Sequence, residues 1–468
     1  MNDNATSKRA RRGAKRSVRR RRVNRHAAGI DCGASAHYVA VDPEHGAEHT
    51  VRRFEAFTHQ LHELADWLVS CQIETVAMES TGVYWIALYE ILEARGIEVM
   101  LVNARHIKNV PGRKSDVQDC QWLQELHSYG LLRGSFRPSA ELTTLRTYLR
   151  HREQLVRNAG DQVRRMQKEL VQMNLHLSVV LSDITGGTGM RILRDIVAGE
   201  HQPKRLAVHR DRRCHASEEE IEAALTGHYQ PEHLLALRHH LALYDVYQAQ
   251  LSECDQHIEA YLGELAQAQD EPEQALPAPR RRFKVGADNA PRFDIRPVLY
   301  QLTGADLTQV DGIGPHAALR LVSEVGIDMS RWATEKRFTS WLSLAPNNKI
   351  SGDRVLSSRT RASSNRAAQV LRMCAMSVGR TDSALGAFYR RTAYRIGKAK
   401  AITATARKLA ILVYRILRGD FTYHDEGAHA YDERHRDRVV RNLTRRADKL
   451  GLTLIDSDTG LVLTAGVS

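Results

Sequence analysis

The sequence predicts an α/β unit, a mixed sheet flanked by helices, followed by long coiled-coil helices and a mostly helical C-terminal domain carrying a helix-hairpin-helix-like turn. Three observations carry that reading. Between residues 27 and 102, short apolar runs alternate with stretches of helical spacing. From about 141 to 177, and again from about 231 to 268, apolar residues recur by threes and fours between charges. Four acids, Asp31, Glu79, Asp116 and Asp119, stand where an apolar run ends or a helix begins.

Each element has its own signal. Ala27 to Asp31 and Tyr38 to Asp42 are short apolar runs separated by Gly33, Ala34 and Ser35, which is hairpin spacing. A third run, Thr50 to Phe54, completes a meander. Phe57 to Ser70 places Leu61, Leu64, Ala65 and Leu68 on one helical face. Glu74 to Glu79 then reads as a strand, Val83 to Arg95 as a helix and Ile97 to Val102 as a strand. From Asp116 the pattern is helical again through Trp122, Leu123 and Leu126. A meander followed by alternating helix and strand is the order of a RuvC-like, ribonuclease-H-like sheet.

That order gives the acids a chemical meaning. Asp31 and Glu79 end apolar runs, so each can project a carboxylate from the sheet toward one site, and Asp116 and Asp119, three apart, share a helix face. Hard ions such as Mg²⁺ take oxygen ligands, and two of them ~4 Å apart stabilise both the entering and the leaving oxygen of a phosphoryl transfer. Mn²⁺ can substitute. A single acid at a strand end or helix start is ordinarily a cap or a solvated residue; the ordered set of four points to chemistry on nucleic-acid backbones.

Charge and composition agree. The net charge of +13 is uneven: residues 1–25 hold eleven Lys or Arg against one acid, and Arg331 to Arg418 holds nineteen against three. Such local excesses suit a polyanion partner better than a solvated face. The tail over 1–25 is low in complexity and is expected to be disordered. Six scattered cysteines, without a C-x-x-C pair, offer neither a disulfide framework nor a zinc ribbon and fit a reduced cytosol. No apolar run approaches the roughly 20 residues of a membrane span, so no membrane partner is expected. With 468 residues the chain is long enough for two or three domains.

We read a RuvC-like domain over 26–138, a helical coiled-coil region over 139–268, a linker over 269–298, a C-terminal domain over 299–420 and an extension over 421–468. The leucines Leu142, Leu145, Leu149 and Leu155 and their successors suit either dimerisation or packing within the chain. Gly312-Ile-Gly314-Pro forms a turn between apolar stretches, from which backbone N–H groups could reach a DNA phosphate. A basic helix follows, with Lys398, Lys400, Arg407 and Lys408 as nucleic-acid-binding candidates.

Together Gly29-Ile-Asp-Cys-Gly, Met78-Glu-Ser-Thr-Gly-Val-Tyr-Trp, Lys114-Ser-Asp-Val-Gln-Asp, Gly312-Ile-Gly-Pro, Leu344-Ala-Pro with Ser351-Gly352, and Gly397-Lys-Ala-Lys resemble the transposases of the insertion-sequence family one-ten. That family includes pilin-gene invertases and bridge-RNA-guided recombinases. The resemblance implies that Asp31, Glu79, Asp116 and Asp119 are the DEDD metal ligands and that Ser351 is the nucleophile, forming a transient phosphoserine link to DNA. It also implies donor and target double-stranded DNA, a noncoding guide RNA, and a homo-oligomer, dimer or tetramer, assembled through the coiled coil. The residues alone do not single out Ser351 among Ser343, Ser357, Ser358, Ser363 and Ser364. Locally it is favoured by Gly352, taken to permit close backbone approach, and by Lys349, Arg354, Arg359 and Arg361. The rival readings are a metal-dependent nuclease or junction resolvase that uses water and forms no covalent intermediate, and a non-catalytic nucleic-acid scaffold.

Overall fold

The computed structural model describes residues 22–45, 49–80, 82–103 and 115–462; most of the basic tail, with its expected disorder, and Thr81 and Lys114 of the motifs lie outside them. The chain divides into two compact units, 1–137 and 138–468.

The first unit is built on a five-stranded sheet of order β3-β2-β1-β4-β5. Its strands are β1 (Ala27–Cys32), β2 (Ala36–Ala40), β3 (Val51–Glu55), β4 (Thr75–Glu79) and β5 (Glu98–Val102). β1, β2 and β3 form the antiparallel meander, whose first turn is closed by Gly33 N donating to Ala36 O at 3.0 Å. β4 pairs parallel with both β1 and β5. Parallel neighbours require crossovers, supplied by α1 (Thr58–Ser70) and α2 (Trp85–Ala94). Leu61, Leu64 and Leu68 of α1 and Leu88 and Leu92 of α2 cover one sheet face, burying Ile30, Val39, Met78 and Leu101.

The opposite face carries α3 (Asp116–Ser128). The stripe that meets the sheet is Cys120, Leu123, Gln124 and His127, while Trp122 and Leu126 are only half-buried. Two polar contacts fix the helix in place: Gln124 Nε2 donates to Ala27 O at 3.3 Å, and Thr75 Oγ1 meets His127 Nε2 at 2.9 Å. The helix can come so near because position 29 has no side chain. A Cβ there would fall 2.9 Å from Gln124 Cα and nearer still to Gln124 N and Cys120 O.

In the second unit two long helices, Ala140–Gln172 and Pro231–Gln267, run antiparallel and bury the leucine stripe between them. Leu142, Leu145, Leu149, Leu155, Met166 and Leu170 are thus covered within the chain. A buried ion pair crosses the seam, Arg152 with Asp255, both side chains 5% exposed. Residues 173–230 form a small helical cap whose Leu193, Ile196, Ile221 and Leu225 share one core with Met166, Leu170, Leu237 and Leu241 of the long helices. The remainder is mainly helical: Ile295–Thr303, Pro315–Val325, Glu335–Trp341, Arg366–Val378, Ala384–Ile396, Lys398–Leu417 and Gly427–Lys449, interrupted by the hairpin of β6 (Lys349–Ser351) and β7 (Arg354–Ser357). Glu324 meets Arg146 and Arg150, and Glu153 meets Arg320 and Arg366, tying the long helix Ala140–Gln172 to these later elements. Among the described residues no helix is long and apolar enough to cross a membrane.

Candidate active site

Sheet register explains how the carboxylates gather. Gly29 pairs with Ala77 and Ile30 with Met78 across the parallel β1–β4 ladder. One residue further on, Asp31 and Glu79 stand at adjacent strand ends, on the face that Gly29 and Ala77 present to α3. Asp116 is the first residue of α3 and Asp119 lies within its first turn, which is capped by Ser115 Oγ accepting from Gln118 N. A helix N-terminus favours such negative charge. Asp31, Glu79 and Asp119 are half-buried and Asp116 is exposed.

The cysteines report the local field. Burial, reinforced by Asp31 and Asp119, pushes the Cys120 thiol up to about 12, and burial together with Asp31 and Glu79 raises Cys32 further. Both thiols are buried. The available donors are carboxylate oxygens, which suits a hard divalent cation rather than zinc. Among the described residues no three His, Cys, Asp or Glu side chains already lie close enough together to hold an ion.

The second candidate centre is the β6–β7 hairpin. Ser351 pairs with Arg354 across a two-residue turn, Gly352-Asp353, and Gly352 adopts φ +57°. A Cβ at Gly352 would meet nothing within 4 Å. Within the chain the glycine serves the left-handed turn conformation. Ser351, Lys349 and Arg354 are all exposed. Arg361 Nη2 donates to Ser340 O at 3.0 Å and Asn347 N donates to Arg359 O at 3.1 Å, anchoring the return strand. Ser357 and Ser363 accept from Arg359 N and Asn365 N in local turns, and Ser343 is buried. Ser358 and Ser364 are exposed as Ser351 is, and Ser351 differs from them in closing a strand, with Lys349 and Arg354 in the same hairpin.

The glycine turn is closely packed. Gly312 has φ +87°, and a Cβ on it would lie 2.8 Å from Cys374 O and closer still to Val378 Cγ2, so it is packed against the helix Arg366–Val378. Gly314 caps Pro315–Val325 with the Phe283 ring against it. The neighbouring Asp311 is buried and held by Arg281 at 2.6 Å and Arg280 at 3.3 Å. Those arginines come from the stretch expected to be a plain linker. Their pairing with an acid some thirty positions away has no local signal in the sequence. Of the basic-helix candidates, Lys398 and Lys400 are exposed in its first turn, Arg407 is half-buried, and Lys408 leans over the Phe388 ring at 4.2 Å.

Comparison with known families bears on both units. A family model for DEDD transposases of the IS110 type matches residues 28–175, and a second, for the transposase IS116/IS110/IS902 family, matches residues 304–390. The first spans all four carboxylates and the second spans Gly312, Gly314 and Ser351. No curated protein matches the chain.

Proposed function

Because the chain belongs to the IS116/IS110/IS902 family of transposases, we propose that it cuts and rejoins DNA strands through Ser351 and the carboxylates Asp31, Glu79, Asp116 and Asp119, as a homo-oligomer guided by a noncoding RNA. The observation that supports this most is the register that sets Asp31 and Glu79 at neighbouring strand ends on the face occupied by α3, whose first turn holds Asp116 and Asp119. In this reading those four residues hold divalent cations, Mg²⁺ by donor type, which supply charge stabilisation at the reacting phosphate. Ser351 Oγ attacks phosphorus, the P–O bond to the departing sugar breaks, and that sugar leaves as a hydroxyl carrying a proton. The hydroxyl of a second strand then attacks the phosphoserine and releases the serine. Lys349 and Arg354 flank the phosphate and offset its charge. The excess positive charge over Arg331 to Arg418 fits a chain that must hold several nucleic-acid strands.

The test is to express the protein together with the native flanking DNA of its gene, then isolate it under denaturing conditions. A DNA adduct on Ser351, located by mass spectrometry and absent in Ser351→Ala and Glu79→Gln, is the expected result. Strand exchange that persists in Ser351→Ala would replace the serine with water. Sequencing of co-purified RNA addresses the guide: one dominant structured species encoded beside the gene supports it, and a heterogeneous mixture removes it.

A further inference from the structure

The C-terminal helix Gly427–Lys449 begins well beyond the second family match, which ends at residue 390. It packs on Ala384–Ile396, and with the helix Lys398–Leu417 the two border an open cavity of about 790 Å³. That is within the roughly 300–1,000 Å³ of ligand pockets. Arg391, Arg395, Lys408, Arg438 and His435 line it, with no carboxylate among the described lining residues. Of the acids near it, Glu426 pairs with Arg434 and Glu433 with His429 at 3.4 Å, while Asp432 acts on His435 and Asp437 adjoins Arg438 in sequence, so the last helix offsets part of this charge without placing a carboxylate in the lining.

Four cations around one cavity repel each other, and this arrangement calls for an anion. Arg391 makes the demand specific. Its Nη2 donates to Tyr431 OH and its guanidinium lies 4.8 Å from that ring, but its Nη1 is buried without an acceptor. A buried donor without a partner is destabilising, and a ligand oxygen would satisfy it. Lys408 is crowded too: partial burial, then Arg391, Arg438 and Arg434, hold its ammonium below the usual lysine range, although the residue as a whole stays exposed. At the rim Tyr394 is 94% exposed, an aromatic ring with no structural burden. Cations that grip a backbone beside an open aromatic platform are the components of single-strand binding.

We propose that this cavity is a nucleotide pocket, in which Arg391, Lys408 and Arg438 hold one phosphate of a single-stranded nucleic acid and Tyr394 stacks on an adjacent base. An acidic peptide would use the cations but not the ring. The proposal takes from the transposase reading only that nucleic acid is present, and its test reads binding instead of strand exchange, so either can fail alone.

Full-length protein is titrated with fluorescently labelled single strands of about twelve nucleotides, as DNA, as RNA of the same sequence, and as DNA with abasic sites. Tyr394→Ala should weaken binding of the base-carrying strand about 10-fold and leave the abasic strand unchanged. Arg438→Gln should weaken both and lower the salt dependence by about one phosphate contact. Irradiated 5-iodouracil strands should crosslink to Tyr394, a local readout that other basic surfaces cannot mimic. Unchanged affinity in both variants, or a crosslink absent from this cavity, overturns the proposal, as does tighter binding of polyglutamate than of either strand. The DNA and RNA arms identify which strand the pocket takes.

Discussion

The distance between α3 and the sheet is set at Gly29, and two of the four carboxylates ride on α3. In Gly29→Ala the new methyl would meet backbone atoms of Cys120 and Gln124, which cannot swing aside as a side chain can. The helix must retreat, at about 1–3 kcal/mol or more, and Asp116 and Asp119 retreat with it. We expect a lower urea midpoint and a loss of strand exchange of at least ~10-fold; an unchanged midpoint would mean that the helix has room to spare. His316 offers a second test at this scale. Burial, then Arg152 and Arg320, depress it from 6.5 to about 4, so the folded protein keeps it neutral while the unfolded chain protonates first. Stability is therefore full above pH 6.5 and falls as pH drops from 6.5 to about 4, by an order of 3 kcal/mol. His316→Gln should flatten that part of the urea-midpoint profile, and an unaltered profile would assign the loss to other groups.

At the scale of elements, the pair Arg152–Asp255 shows how the long helices recognise each other. Asp255 accepts from Arg152 and from Arg292 N at 3.1 Å, and Arg152 also donates to Asn289 O at 2.7 Å. Removing one partner strands a buried charge, so Asp255→Ala should cost about 3–5 kcal/mol, whereas the double change Arg152→Met with Asp255→Leu should cost far less. Denaturant unfolding of both proteins checks this; equal losses would show that the backbone bonds, not the ion pair, matter there. The strands and helices themselves were readable from sequence because apolar period maps directly onto buried faces, as in Leu61, Leu64 and Leu68. The partner of the leucine stripe was not, since a stripe carries the same pattern whether another segment or another subunit covers it. Gly312 illustrates the same limit. Its turn was visible, but the helix Arg366–Val378 that it touches lies more than fifty residues away, and only the fold shows that the position is also a packing one. Gly312→Ala should accordingly lower the melting temperature, with or without DNA present.

For the molecule as a whole, charge and stability meet at the carboxylate face. The sequence placed Asp31, Glu79, Asp116 and Asp119 on the right elements because strand ends and helix starts are local features, and the β1–β4 register then puts the first two side by side. The proposal of Ser351 rests on resemblance, since an exposed serine beside a glycine carries no local signal of reactivity. A cation that binds the folded carboxylates and not the unfolded chain must stabilise the protein, by ~2.7 kcal/mol when its concentration is a hundred times its dissociation constant. Added Mg²⁺ should therefore raise the melting temperature of the transition belonging to residues 1–137, and EDTA should reverse the rise. Glu79→Gln removes one ligand of the proposed set and should abolish most of that shift, while Ser351→Ala, in the other unit, should keep it whole. The pairing separates the two halves of the proposed chemistry: both variants would lack strand exchange, but only one would have lost its metal. An Mg²⁺ shift of equal size in Glu79→Gln would place cation binding elsewhere on the chain and sever the carboxylates from the reaction.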